Sequence, residues 1–145
     1  MKRLLNVVLA AGLIMVLSGC AKAPVPVIRA ELLVETTRDI AIQKTANLLP
    51  GSGYKGTKVK NSEGIISTQF TENKNESSRM EMPIREKAVI VVKQSAEGTV
   101  TIGVSVVMES KKDNQWVAMQ EGDSLCQRAT EKSESLARKL QRAIK

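Results

Sequence analysis

The stretch that decides the fold reads Lys87-Ala88-Val89-Ile90-Val91-Val92-Lys93, Gln94-Ser95-Ala96-Glu97-Gly98, then Thr99-Val100-Thr101-Ile102-Gly103-Val104-Ser105-Val106-Val107-Met108. The first run is β-branched and bounded by turn-forming residues, as strands are. In the second, Val100, Ile102, Val104 and Val106 fall on one face of an extended chain, and Thr101, Gly103 and Ser105 on the other. Side chains alternate across a strand, so this is a half-buried strand with one apolar side. The short link across Glu97-Gly98 permits only antiparallel pairing, and an apolar sheet face needs a cover.

Towards the C-terminus, Lys111-Lys112-Asp113-Asn114 reads as a turn into a last strand around Trp116-Val117-Ala118-Met119. Asp123-Ser124 then opens a long helix, with Gln127 placed for a capping box behind Ser124. Leu125, Ala129, Leu136, Leu140 and Ile144 mark its apolar stripe, with Cys126 at the flank. Glu134 and Arg138 form an i,i+4 pair of the favoured orientation.

Towards the N-terminus, Val27 to Glu35 reads as a first strand, although Ala30 to Val34 would equally start a helix, and Thr36-Thr37-Arg38-Asp39 reads as a capping box. Ile42, Ala46 and Leu49 recur at helical spacing, and Pro50-Gly51 stops that helix. Gly51-Ser52-Gly53 follows a helix and lacks the Gly-Lys-Ser/Thr that opens one, so it is a turn and not a phosphate loop. Thr57 to Lys60 and Ile65 to Thr71 form two short strands around Asn61-Ser62-Glu63-Gly64, and the polar run Glu72 to Ser78 is loop. The predicted fold is a two-layer α+β sandwich of helix-grip type. Its antiparallel sheet of about four to six strands packs against two helices.

The first residues carry a different message. Lys2 and Arg3 precede a short apolar run ending at Leu17, the pattern of a secretory signal peptide, and too short for the roughly 20 residues of a membrane span. Its end, Leu17-Ser18-Gly19-Cys20, resembles the bacterial lipobox. The resemblance implies that Leu17, Ser18 and Gly19 are read by the signal peptidase, which cleaves between Gly19 and Cys20. It also implies diacylglycerol on the Cys20 thiol and an N-acyl chain on the new amine. Two or more acyl chains anchor stably where one does not. Ala21 stands where the inner-membrane retention signal places aspartate, which points to the periplasmic face of the outer membrane. Residues 1–19 are thus the signal, 20–27 a lipidated tether stiffened by Pro24 and Pro26, and 28–145 one domain.

Composition narrows the function. The formal net charge is +7, which suits anionic partners, but no run of five basic residues occurs and aromatics are 2%. Nucleic-acid modules set stacking rings among their cations, so nucleic acid is not expected as a partner. The chain has no histidine, the commonest general base and a frequent metal ligand. The serine–lysine pairs Lys60/Ser62 and Lys93/Ser95 are explained by turns, and the acids are scattered among lysines rather than paired for glycoside hydrolysis. Neither an enzyme nor a cofactor is expected beyond the covalent lipid. With Cys20 acylated, Cys126 has no disulfide partner and is expected to be packed. The cations of the last helix, Arg128, Lys132, Arg138, Lys139, Arg142 and Lys145, are either a partner-facing patch or a complement to the helix dipole.

The run from Asp39 to Phe70 carries Ala41 and Leu49 on a helix, then Gly53-Tyr54, then Asn61-Ser62-Glu63-Gly64-Ile65-Ile66-Ser67-Thr68-Gln69-Phe70. It resembles a domain of the BamC (NlpB) lipoproteins of the outer-membrane β-barrel assembly machinery. The resemblance implies a helix, a Gly-aromatic turn, a strand and further antiparallel strands closed by a long helix, in a scaffold without catalytic residues. The functional expectation is a non-catalytic binding or envelope-assembly module anchored to the membrane by lipid and meeting a protein of the envelope. Two other readings stand beside it. One is a carrier holding an acyl chain between Val100–Val106 and the Leu125–Ile144 helix. The other is an accessory lipoprotein of a secretion or conjugation apparatus.

Overall fold

A computed structural model describes residues 27–145. The chain is a two-layer α+β sandwich in which one antiparallel sheet packs against helices. Its elements are β1 (Ala30–Glu35), α1 (Arg38–Gly51), β2 (Lys58–Lys60), β3 (Ile65–Ser67), β4 (Thr71–Glu72), α2 (Lys74–Met80), β5 (Ile84–Ala96), β6 (Thr99–Lys112), β7 (Gln115–Ala118) and α3 (Ser124–Ile144). The strand order is β1-β6-β5-β3-β2, with β4 also on β5 and β7 also on β6.

The β5–β6 hairpin is the spine. Its strands are 13 and 14 residues long, well past the runs read from the sequence. Gly98 turns it at φ +71°, and the second hairpin turns at Asp113 (φ +47°) and Asn114 (φ +64°). Positive φ at both central residues matches the right-handed twist of the strands it joins, and Asp and Asn tolerate it well. The register sets Ile90 against Val104, Val92 against Ile102 and Ala88 against Val106 on one face. These six side chains are between 0% and 1% exposed and join one core with Leu32, Val34, Ile66 and Met108.

Helices α1 and α3 close that face. Along α3, Leu125, Ala129, Leu136, Leu140 and Ile144 are all buried, as the stripe predicts, together with Cys126, Ser133 and Ala137. Burying a Leu or Ile side chain contributes about 1.5–3 kcal/mol, so the helix is held by this contact rather than by propensity. Ser133 crosses the layers: its Oγ accepts from Val106 N at 2.8 Å and donates to Ala129 O at 2.7 Å. Asp123 caps α3 by accepting from Cys126 N at 2.6 Å, so the cap is Asp123 and not the Ser124–Gln127 box. Thr37 rather than Thr36 caps α1, and Pro50 sits inside its last turn.

Three further differences have local causes. The sheet has seven strands rather than four to six because the run Ile65–Thr71 divides. Thr68 is pulled in instead of continuing the ladder: its N donates to Ala88 O at 3.0 Å and its Oγ1 accepts from Ala88 N at 2.9 Å. Glu72–Ser78 is not all loop, since a third helix starts at Lys74. Asn73 caps it by accepting from Glu76 N at 3.0 Å, an Asn-x-x-Glu signal with no apolar stripe to advertise it. The last strand covers Gln115–Ala118 rather than Trp116–Met119.

Candidate functional site

Leu17, Ser18, Gly19 and Cys20 lie outside the described residues, as do the rest of the expected signal peptide and most of the expected tether. The described chain enters at Val27, 63% exposed. Two residues there lock it to the domain on opposite sides. Ile28 lies over Gly103: a Cβ on that glycine would stand 2.9 Å from Ile28 Cδ1. Arg29 turns towards α3, and its Nη1 donates to Cys126 Sγ at 3.1 Å and to Thr130 Oγ1 at 3.3 Å.

Cys126 is buried, 7% exposed, as expected for a packed thiol. The surroundings differ from the purely apolar ones suggested by Leu125 and Ala129, because the Arg29 guanidinium comes from 97 residues away. Outside it is a shallow depression of about 590 Å³ lined by Arg29, Glu121, Asp123, Gln127 and Thr130.

A second polar region joins α2, β5 and α3. Glu76, 6% exposed, accepts from Arg128 Nη2 at 2.6 Å and Nε at 3.3 Å. Arg128 also binds Glu131. Hydrogen bonding from Arg128 holds the Glu76 carboxyl below its usual range, against the opposing pull of burial. Glu86 accepts from Lys132 Nζ at 3.2 Å and from Asn73 Nδ2 at 3.0 Å, beside a depression of about 300 Å³. Burial first, and Glu86 second, push the Tyr54 hydroxyl well above the usual phenol range.

This network ties the α2 end to the long helix, and each acid in it meets a cation. It therefore corrects one reading of the basic helix: Arg128 and Lys132 are not free patch residues but partners of Glu76 and Glu86. Arg138, Lys139 and Arg142 are exposed, with Glu134 3.9 Å from Arg138. The serines of the two serine–lysine pairs lie in turn or strand-end positions. Ser95 Oγ bonds Thr101 Oγ1, while Lys60 meets Glu63 at 3.6 Å. Among the described residues no cluster of three Cys, Asp or Glu is placed to hold a metal ion.

Between the layers, Val104 is 0% and Leu136 3% exposed within the core cluster, where a lipid carrier would need space. Among the described residues no helix covers the opposite face of the sheet. The register places Arg85, Lys87, Val89, Val91 and Lys93 of β5 there beside Glu109, Val107, Ser105, Gly103 and Thr101 of β6. Glu31, Leu33 and Glu35 of β1 and Lys58 and Lys60 of β2 share this face. Arg85 is stacked between two rings, its Cζ 4.4 Å from the centroids of both Phe70 and Trp116. Its Nη2 also meets Glu109 Oε2 at 2.5 Å. Lys87 Nζ lies 4.6 Å from the Phe70 centroid. The sequence reading missed this stack: Phe70 lies between β3 and β4, Arg85 is the second residue of β5, before the run read as a strand, and Trp116 is the second residue of β7.

Comparison with protein-family models and with curated proteins gives no match to this chain.

Proposed function

We propose that the chain is a lipoprotein of the outer membrane, held at the periplasmic face by acyl chains on Cys20, whose single α+β domain is a non-catalytic binding or assembly module. One observation carries the reading: Lys2 and Arg3, a short apolar core and Leu17-Ser18-Gly19-Cys20 occur in that order. The element order of α1, the Gly53-Tyr54 turn, antiparallel strands and the closing helix α3 accords with the BamC-type scaffold resemblance. The single core cluster that sheet and helices share, with Val104 at 0% and Leu136 at 3% exposure, favours a module over an acyl-chain carrier.

Mass spectrometry of protein extracted from membranes tests it. The expected product begins at Cys20 and carries acyl chains, and Cys20→Ser accumulates as uncleaved precursor. An unmodified terminus at another residue overturns the lipoprotein reading.

A further inference from the structure

We propose that the helix-free face of the sheet docks on the anionic headgroup surface of the membrane that holds the lipid anchor. The proposal rests on the lipoprotein reading above and assigns that anchored domain an orientation.

Three observations converge on this face. The first is charge. Register places Lys58, Lys60, Arg85, Lys87, Lys93 and Lys111 on it. Of the carboxylates sharing the face, Glu109 is tied to Arg85, Glu72 is the register partner of the same arginine, Glu63 at the β2–β3 turn meets Lys60, and Glu31 and Glu35 are confined to the β1 edge, which leaves Lys58, Lys87, Lys93 and Lys111 without a carboxylate partner among the described residues. A basic field of this kind attracts anionic lipid within a screening length of about 10 Å at 0.1 M salt.

The second is residue type. Trp116 and Phe70 flank Arg85 on this face. Rings with an apolar body beside long cationic side chains are the groups that settle at headgroup level. Leu33, 64% exposed, adds an apolar contact.

The third is where the tether arrives. Ile28 packs on Gly103, and the side chain that Gly103 lacks would project from this face rather than from the core face. Seven peptide steps separate Cys20 from Val27, a reach of at most about 25 Å at 3.3–3.6 Å per residue. A tether this short makes contact with the surface effectively intramolecular, so a weak attraction suffices to choose the face. The exposed cations of α3 lie on the other layer.

The full-length lipidated protein, reconstituted in vesicles of phosphatidylcholine with or without phosphatidylglycerol, tests this through Trp116, the single tryptophan of the chain. A lipid carrying a quencher near its headgroup is the probe. Strong quenching is expected in the phosphatidylglycerol vesicles, relieved by salt that shortens screening to about 3 Å. The triple variant Lys58→Glu, Lys87→Glu, Lys93→Glu, with its fold checked by circular dichroism, should lose at least half of the quenching. Arg138→Glu, Lys139→Glu, Arg142→Glu should leave it unchanged. Should the first triple variant not fold, the wild-type salt and lipid dependence still decides. Protein that floats with vesicles but shows equal quenching in both lipids, or loses it through the α3 variant, overturns the docking face with the anchor intact. Protein that does not float in high salt overturns the anchor itself, and the orientation with it.

Discussion

The two faces of the β5–β6 hairpin are built from alternate residues of the same two strands and obey different rules. On the core face, Ile90, Val92, Ile102, Val104 and Val106 are at most 1% exposed, and volume is the constraint. On the other face the neighbours of those residues are Val91, Lys93, Thr101, Gly103 and Ser105, and the constraints are charge, reach and room for Ile28. One face is written for packing, the other for contact. Alternation alone would make the second simply polar, yet Gly103 and Ser105 are as covered as core residues.

The comparison breaks most directly at the core face. Leu136→Ala and Val104→Ala should each cost about 2–4 kcal/mol in denaturant unfolding, since lost transfer and a new cavity add. A loss below about 1 kcal/mol, with saturable binding of a fluorescent fatty acid, would mean that this face lines a lipid site and would promote the carrier reading.

An intermediate effect is expected at the polar end, where Arg128→Met leaves Glu76 buried without its cation. The cost should be about 1–3 kcal/mol at neutral pH. Because Arg128 lowers the Glu76 pKa in the folded chain, the pair's stabilisation is complete above the ordinary carboxylate value of about 4.3. It is lost as pH falls through the lower folded value. The stability gap between wild type and Arg128→Met should therefore close in acid, and a pH-independent gap would assign the effect to lost side-chain packing instead.

The smallest effect sharpens the outer face. Gly103→Ala should change stability by no more than about 1 kcal/mol, because improved strand propensity offsets displacement of Ile28. Adding Ile28→Ala should remove the displacement, giving a coupling of about 0.5 kcal/mol in a double-mutant cycle. Strict additivity would mean that Ile28 does not occupy the glycine's space in solution.

What was legible in the sequence follows from how far apart the informative residues are. Val100 to Val106 and the α3 stripe announce themselves because each residue's meaning depends on neighbours two to four positions away. The Glu76–Arg128 and Arg29–Cys126 contacts span 52 and 97 residues, and no local pattern encodes them. Helix α2 escaped because its signal is a cap, Asn73 with Glu76, and it buries a carboxylate rather than an apolar stripe. The Arg85 stack escaped because strand ends look like turns until the register with Glu109 is known. The lipobox resemblance is the reverse case, a purely local pattern in residues 17–20 that owes nothing to the fold.

The strand order also sets a timetable. Strand β1 pairs with β6, so the first strand made stays single until residues 99–104 have followed it. A hairpin such as β5–β6 can close in about 1–10 μs. Helix α3, which covers it, occupies residues 124–144 and follows it in the chain. A chain whose hairpin has closed before α3 docks carries the apolar side of that hairpin bare, and its vulnerability to aggregation is concentrated in the interval between those two events.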